Sequence, residues 1–148
     1  MPSTHLSLNY HIVFSTKNRE PWIDPSWRDE LHGYAGGCVR KLDGIPLAVG
    51  GIADHIHLLV GLKATHSLAR VVQDIKRASS RWVHEARHRA GFAWQEGYGG
   101  FTVSPSRVDG VRTYICTQAE HHRTKTFTEE YLELLRESKI EFDERYLW

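Results

Sequence analysis

Gly51-Ile52-Ala53-Asp54-His55-Ile56-His57-Leu58-Leu59-Val60-Gly61 is the stretch on which the fold turns. Side chains alternate along a strand, so His55, His57 and Leu59 share one side while Ile56, Leu58, Val60 and Leu62 share the other. The second set is wholly apolar, which makes it the core face and fixes the register. Two imidazoles are then left side by side on the opposite face, placed to hold a metal ion or a phosphate. Taken alone the pattern also fits two polar-face histidines of an ordinary sheet, and it needs partners elsewhere in the chain.

Reading outward, Leu47 to Ile52 and His55 to Leu62 predict two strands joined as a hairpin near Ala53-Asp54. Upstream, Leu6, Leu8, Tyr10, Ile12 and Phe14 alternate with Ser7, Asn9, His11, Val13 and Ser15, which predicts a first strand with the former set in the core. Asp24-Pro25 offers an N-cap and a first-turn proline for a helix through Trp27, Leu31, Tyr34, Ala35 and Cys38, stopped by Gly44-Ile45-Pro46. Downstream, Ser67 caps a long helix whose buried stripe is Leu68, Val71, Val72, Ile75, Ser79, Trp82 and Ala86, ending at Gly91. Phe92 to Val103 reads as an irregular last strand.

The order is β-α-β-β-α-β, an α+β chain with a ferredoxin-like antiparallel sheet and both helices on one face. The other face is expected to be open and to carry His55, His57 and His11. After Ser104-Pro105-Ser106 a further helix, with Ser106 and Asp109 as a capping box, holds Val111, Tyr114, Ile115, Gln118, His121 and His122. A last helix runs from about Thr128 to Ser138. The aromatic segment Ile140 to Trp148 is expected to pack on the domain or on a partner subunit. One domain over 1–148 is expected, with a core over 1–104 and the tyrosine helix, last helix and tail over 105–148.

Hydrophobic residues at 41% over 148 positions exclude a disordered chain and allow a real core. No apolar run approaches the ~20 residues that span a bilayer, and the N-terminus Met1-Pro2-Ser3-Thr4-His5 lacks a signal pattern, so a cytoplasmic protein is expected. Cys38 and Cys116 show no ligand spacing and read as reduced thiols. The formal net charge of +1 hides an uneven distribution. Arg70, Lys76, Arg77, Arg81, Arg87 and Arg89 face only Asp74 and Glu85 between His66 and Ala90, whereas Thr128 to Trp148 carries seven acids against three bases. Local basic surface is what meets a phosphate backbone, so the sum does not argue against nucleic acid.

Tyr114 and Gln118, four apart on the predicted helix, project along one line, with His121 and His122 one turn on. A tyrosine attacking phosphate must lose a phenolic proton of pKa about 10 and needs the phosphate held in line. A divalent cation does the holding by polarising the phosphate oxygens. Two imidazoles and an amide oxygen, His55, His57 and Gln118, can bind Mn²⁺ or Mg²⁺ and leave positions open for substrate.

Over nearly its whole length the chain resembles the single-tyrosine HUH transposases of small bacterial insertion sequences, together with their REP-associated relatives. The resemblance is carried by Tyr10-His11-Ile12-Val13-Phe14-Ser15-Thr16-Lys17-Asn18-Arg19, Asp54 to Val60, Lys76-Arg77-Ala78-Ser79-Ser80, Trp94-Gln95-Glu96-Gly97-Tyr98 and Tyr114-Ile115-Cys116-Thr117-Gln118 with His121-His122 behind. It implies a homodimer in which the tyrosine helix can complete the partner's site. It also implies metal-dependent cutting of single-stranded DNA near imperfect hairpins, through a 5′-phosphotyrosine link and a free 3′-hydroxyl. Mapped here, Tyr114 is the nucleophile, and His55, His57 and Gln118 hold Mg²⁺ or Mn²⁺. Rejoining exchanges one phosphodiester for another and needs no ATP, and no P-loop is present.

DNA contacts are expected from Lys76, Arg77 and Arg81, on the premise that the basic helix adjoins the site, and from His11, His121 and His122. The alternatives are a solvated helix face and ordinary polar-face histidines. Gly97, Gly99, Gly100 and Gly110 fit either a flexible joint before the tyrosine helix or tight turns. Two other functions are weighed. A non-catalytic binder of single-stranded nucleic acid would put stacking aromatics on the central strands, where this chain has histidines. A hydrolase of small phosphoesters would need more carboxylate ligands near the histidines.

Overall fold

A computed structural model describes residues 3–147; Met1, Pro2 and Trp148, and with them the expected packing of the last tryptophan, lie outside the described residues. Four strands, β1 (Asn9–Ser15), β2 (Ile45–Ile52), β3 (His55–Gly61) and β4 (Gly99–Thr102), form one antiparallel sheet in the order β2-β3-β1-β4. The helices α1 (Arg28–Lys41) and α2 (Leu68–Ala86) return the chain between strands, giving the expected β-α-β-β-α-β order. No helix among the described residues is long and apolar enough to cross a membrane.

The pleat divides the sheet as the sequence predicts. Ile12 and Phe14 of β1 join Ile56, Leu58 and Val60 of β3 in the main core, against Leu31, Ala35 and Val39 of α1 and Val71, Val72, Ile75 and Val83 of α2. Pairing Val13 with His57 and Ser15 with His55 sends His11, Val13, Ser15, His55, His57 and Leu59 to the opposite side. That second side is not open, contrary to expectation. Three further helices, α3 (Val108–Cys116), α4 (Gln118–His121) and α5 (Phe127–Glu137), belong to it, and Val13, His55, His57 and Leu59 are all 0% exposed. Ile115 of α3 packs with Leu59, and Phe127, Tyr131 and Leu135 of α5 pack with Val13.

Several boundaries differ from the sequence reading for local reasons. The first strand begins at Asn9, and Leu6 is left exposed. The Asp24 carboxylate accepts from Ser26 N–H in a turn, so α1 starts one turn later. It ends with Asp43 at a φ of 69°, and the N–H groups of Asp43 and Gly44 return to the carbonyls of Arg40 and Val39. Ser67 does cap α2, whose stripe gains Val83, keeps Trp82 partly buried against the core, leaves Ala86 exposed and ends five residues before Gly91. Between α2 and β4 the chain is irregular, meeting the end of β1 where Trp94 pairs with Thr16 and Gln95 N–H donates to the Ser15 carbonyl at 3.0 Å. Ser106 caps nothing: residues Pro105–Arg107 form a 3-10 turn and α3 begins at Val108 without a side-chain cap. In the tail, Phe142 and Leu147 pack beside the α5 cluster, while Ile140 and Tyr146 are exposed.

Candidate active site

The hairpin that carries the histidines turns in two residues, Ala53-Asp54, whose carbonyls accept from Ile23 N–H at 3.0 Å and Thr16 N–H at 2.8 Å. Just before it, Gly51 has φ 153°, and a Cβ there would lie 2.2 Å from the His55 carbonyl oxygen. Only glycine lets the two strands close at that point. His55 and His57 therefore emerge from a rigid corner.

The second half of the site comes in on α3. Gly50 of β2 lies under this helix: an added Cβ would stand 2.1 Å from the Ile115 carbonyl oxygen. Missing that methyl group, the sheet lets α3 settle low, and Arg112 Nε donates at 3.1 Å to the carbonyl of Leu47 at the β2 bulge. Tyr114 is thereby carried over the histidines of its own chain, its ring 5.8 Å from His57 and 6.3 Å from His11 between centroids. The expected continuous helix breaks at Thr117, whose hydroxyl donates back to the Thr113 carbonyl. Gln118 restarts the chain as α4, still one turn from Tyr114, with its amide nitrogen donating to the Tyr114 carbonyl at 3.3 Å.

Gln118 Oε1 accepts at 2.9 Å from His55 Nε2 and at 3.1 Å from His122 Nε2. The three residues predicted as ligands are thus brought to one place, with His122 added. His122 is aimed by its other nitrogen, which donates to the Lys125 carbonyl at 2.7 Å. His121 stays outside, its ring tilted by 32° at 4.6 Å from the Tyr114 ring and 3.1 Å from the Thr117 hydroxyl. His11, expected as a DNA contact, is 4% exposed and lies 2.7 Å from His57 Nδ1.

Glu130 of α5 is the residue that sequence reading missed. Its Oε1 lies 3.0 Å from His57 Nε2, 3.3 Å from His122 Nε2 and 3.4 Å from His55 Nε2, and its Oε2 accepts the Tyr114 hydroxyl. The side chain is 1% exposed. It was counted with the acids of the C-terminal segment, but its spacing held a signal: Phe127, Glu130, Tyr131 and Leu134 follow a helical stripe in which an acid interrupts an otherwise apolar face. A buried acid in such a stripe must be paired.

The charges in this cluster are strongly coupled. Burial opposes ionisation of Glu130, but hydrogen bonds from His122, His57 and Tyr114 outweigh it and hold the carboxyl far below the usual range. Burial, then the hydrogen bond and charge of Glu130, push the Tyr114 phenol above its ordinary value. Burial lowers His57 and takes His11 down to about 3, so both rings are neutral at neutral pH. For His122 burial works downward, and Glu130 overrides it and raises the ring. A cleft of about 620 Å³ between α3 and α5 opens onto His11, Tyr114 and Glu130, with Arg107, Glu133 and Glu137 on its walls.

As a metal centre the donor set is coherent. Single donor atoms of His55, His122 and Glu130 lie within 4.8 Å of one another, and His57 and Gln118 each touch the same group. Imidazole nitrogens with carboxylate and amide oxygens match the preferences of a borderline divalent ion such as Mn²⁺ better than those of Mg²⁺.

The basic helix does not adjoin this site. α2 packs on the other face of the sheet, and Arg77 and Arg81 point outward from it. Lys76 is engaged, its Nζ donating to the carbonyls of Gln95 at 2.7 Å, Glu96 at 3.2 Å and Gly97 at 2.7 Å. Burial lowers its pKa to about 8. Nor is the glycine-rich segment simply a joint: at Gly99 a Cβ would meet the Tyr131 ring at 2.8 Å, a close approach that seats α5 on β4.

Comparison with known proteins agrees with this architecture. Residues 4–118 match the family model described as IS200-like transposase, a span that ends before Glu130. The fold is similar to that of a candidate transposase from Deinococcus radiodurans R1, at 25% identity and a TM-score of 0.64 over 78% of this chain and 93% of that one. It is also similar in fold to a REP-associated tyrosine transposase bound to a REP hairpin, at 13% identity and a TM-score of 0.56 over 78% of this chain and 68% of that one. Among proteins of curated function, none matches the sequence.

Proposed function

Because the chain belongs to the IS200-like transposase family, we propose that it nicks and rejoins single-stranded DNA through Tyr114, with a divalent cation held by His55, His57, Gln118, His122 and Glu130. The observation that carries the proposal is the single carboxylate of Glu130, which touches the Tyr114 hydroxyl with one oxygen and three histidines with the other.

In the attack the Tyr114 oxygen forms a bond to phosphorus and the 3′-oxygen leaves with its bonding pair, taking a proton from solvent water. The phenolic proton passes to Glu130, which already accepts it. The product is a 5′-phosphotyrosine link and a free 3′-hydroxyl, and attack of such a hydroxyl on the link reverses the chemistry without an external energy source. A bound divalent cation supplies positive charge that offsets Glu130, eases loss of the phenolic proton and polarises a phosphate oxygen. The strand enters by the cleft between α3 and α5, beside Arg107. That a protein of similar fold holds a REP hairpin supports hairpin-bearing single-stranded DNA as the substrate.

The test is an SDS-stable adduct between the purified protein and a hairpin-bearing oligonucleotide in Mn²⁺. The adduct is expected for the unaltered chain and absent for Tyr114→Phe. An adduct that survives Tyr114→Phe assigns the nucleophile elsewhere.

A further inference from the structure

Each strand histidine has one ring nitrogen in the cluster and one outside it. For His55 the outer nitrogen is Nδ1, 2.8 Å from Asp54 Oδ1. An ionised carboxylate only accepts, so this nitrogen keeps its proton whether or not a cation stands at Nε2. For His57 the outer nitrogen, Nδ1, lies 2.7 Å from Nε2 of His11, a second imidazole. The two rings stack at 5.0 Å with 27° between their planes, which locks that contact.

A neutral imidazole nitrogen donates or accepts according to its tautomer. In the arrangement observed, His57 Nε2 faces Glu130 Oε1 at 3.0 Å. The carboxylate oxygen can only accept, so His57 carries its proton on Nε2, its Nδ1 is a lone pair, and His11 donates from Nε2. A cation at His57 Nε2 demands the reverse: a lone pair on Nε2, the proton on Nδ1, and His11 accepting.

We propose that His11 is a positioning residue that lets His57 exchange between these tautomers, presenting an N–H to Glu130 or a lone pair to a cation. The inference rests on reading His57 as a metal ligand. The exchange balances: His57 gives up the proton on Nε2 and takes the one from His11 Nε2, while His11 takes another on Nδ1. His11 borders the cleft, where water supplies that proton, and the pair of rings ends with the charge it began with. A carboxylate or backbone carbonyl in place of His11 would fix the proton on His57 Nδ1 permanently and set two lone pairs against each other at Glu130. Asp54 is such a fixed partner for His55; His11 is a reversible one for His57.

The experiment uses the full chain. Nitrogen-15 NMR of histidine-labelled protein should place the His57 proton on Nε2 without added ion and on Nδ1 with Mg²⁺. Mn²⁺ affinity, followed by the paramagnetic resonance of free Mn²⁺, should fall about 10- to 100-fold in His11→Leu and stay near that of the unaltered protein in His11→Gln, whose amide can turn either end to His57. An unchanged His57 tautomer, or a His11→Leu variant that binds Mn²⁺ as tightly as the original, overturns the inference. His57→Ala separates the two claims. If it leaves Mn²⁺ affinity untouched, the ligand reading fails and this inference with it; if it abolishes binding while His11→Leu does not weaken it, only the role of His11 fails.

Discussion

The Tyr114 hydroxyl donates to the carboxylate of Glu130, sixteen positions further along and on a different helix. Burial and then this contact raise the phenol, and the contact adds to the hydrogen bonds of His122 and His57 that lower the acid. Replacing Glu130 by Gln removes the charge and its share of the upward pressure on Tyr114, leaving the larger share that burial exerts. Carbon-13 NMR of labelled tyrosine should find Tyr114 ionising at lower pH in Glu130→Gln than in the original, while adduct formation in Mn²⁺ falls by about 100-fold or more for loss of the proton acceptor. An unmoved tyrosine titration contradicts the coupling.

Tyr114 lies over the histidines of its own chain. Mixing Tyr114→Phe with His57→Ala should therefore recover no adduct, because neither chain holds a complete site. Recovery towards a quarter to a half of the original activity would mean that the tyrosine works on the partner's histidines.

Gly50 is predicted to be intolerant of a side chain. Gly50→Ala pushes a methyl group into the Ile115 carbonyl, and relief requires lifting α3 from the sheet. A loss of about 2 kcal/mol in urea unfolding is expected, with a larger fractional loss of cleavage than of fold because Tyr114 travels with the helix.

His32 provides a pH handle away from the nucleophile. Its Nε2 is buried without a hydrogen-bond partner, and burial lowers the ring from 6.5 to about 4. Between those values the unfolded chain takes up a proton that the folded one refuses. The stability tied to this group is therefore complete above pH 6.5 and is lost as pH falls towards 4, at up to about 1.4 kcal/mol per pH unit. His32→Leu should flatten the urea midpoint over that window relative to the original; parallel curves would show that the ring is solvated.

The histidine strand was legible because one side of it is uniformly apolar, and the pleat then leaves His55 and His57 no choice of face. Tyr114 and Gln118 were legible from their spacing, even though the helix breaks between them at Thr117, since the turn preserved their side. Glu130 was hidden because charge counting treats every acid as surface, and only its place in the Phe127, Tyr131, Leu134 stripe marks it as interior. The premise for Lys76 failed because α2 packs on the opposite face of the sheet, and composition records a cation but not the three carbonyls that accept its hydrogen bonds.

The Ala53-Asp54 turn also limits how this protein can drift. Most surface hairpins tolerate insertions and deletions, and relatives differ there by length as much as by residue. Here one added or lost residue would slip β3 against β2 and β1 and exchange its two faces, delivering His55 and His57 into the apolar core and Ile56 and Leu58 to Tyr114. The corner can change its letters but not its length, so a gap at this turn in any aligned relative should coincide with loss of the histidine pair.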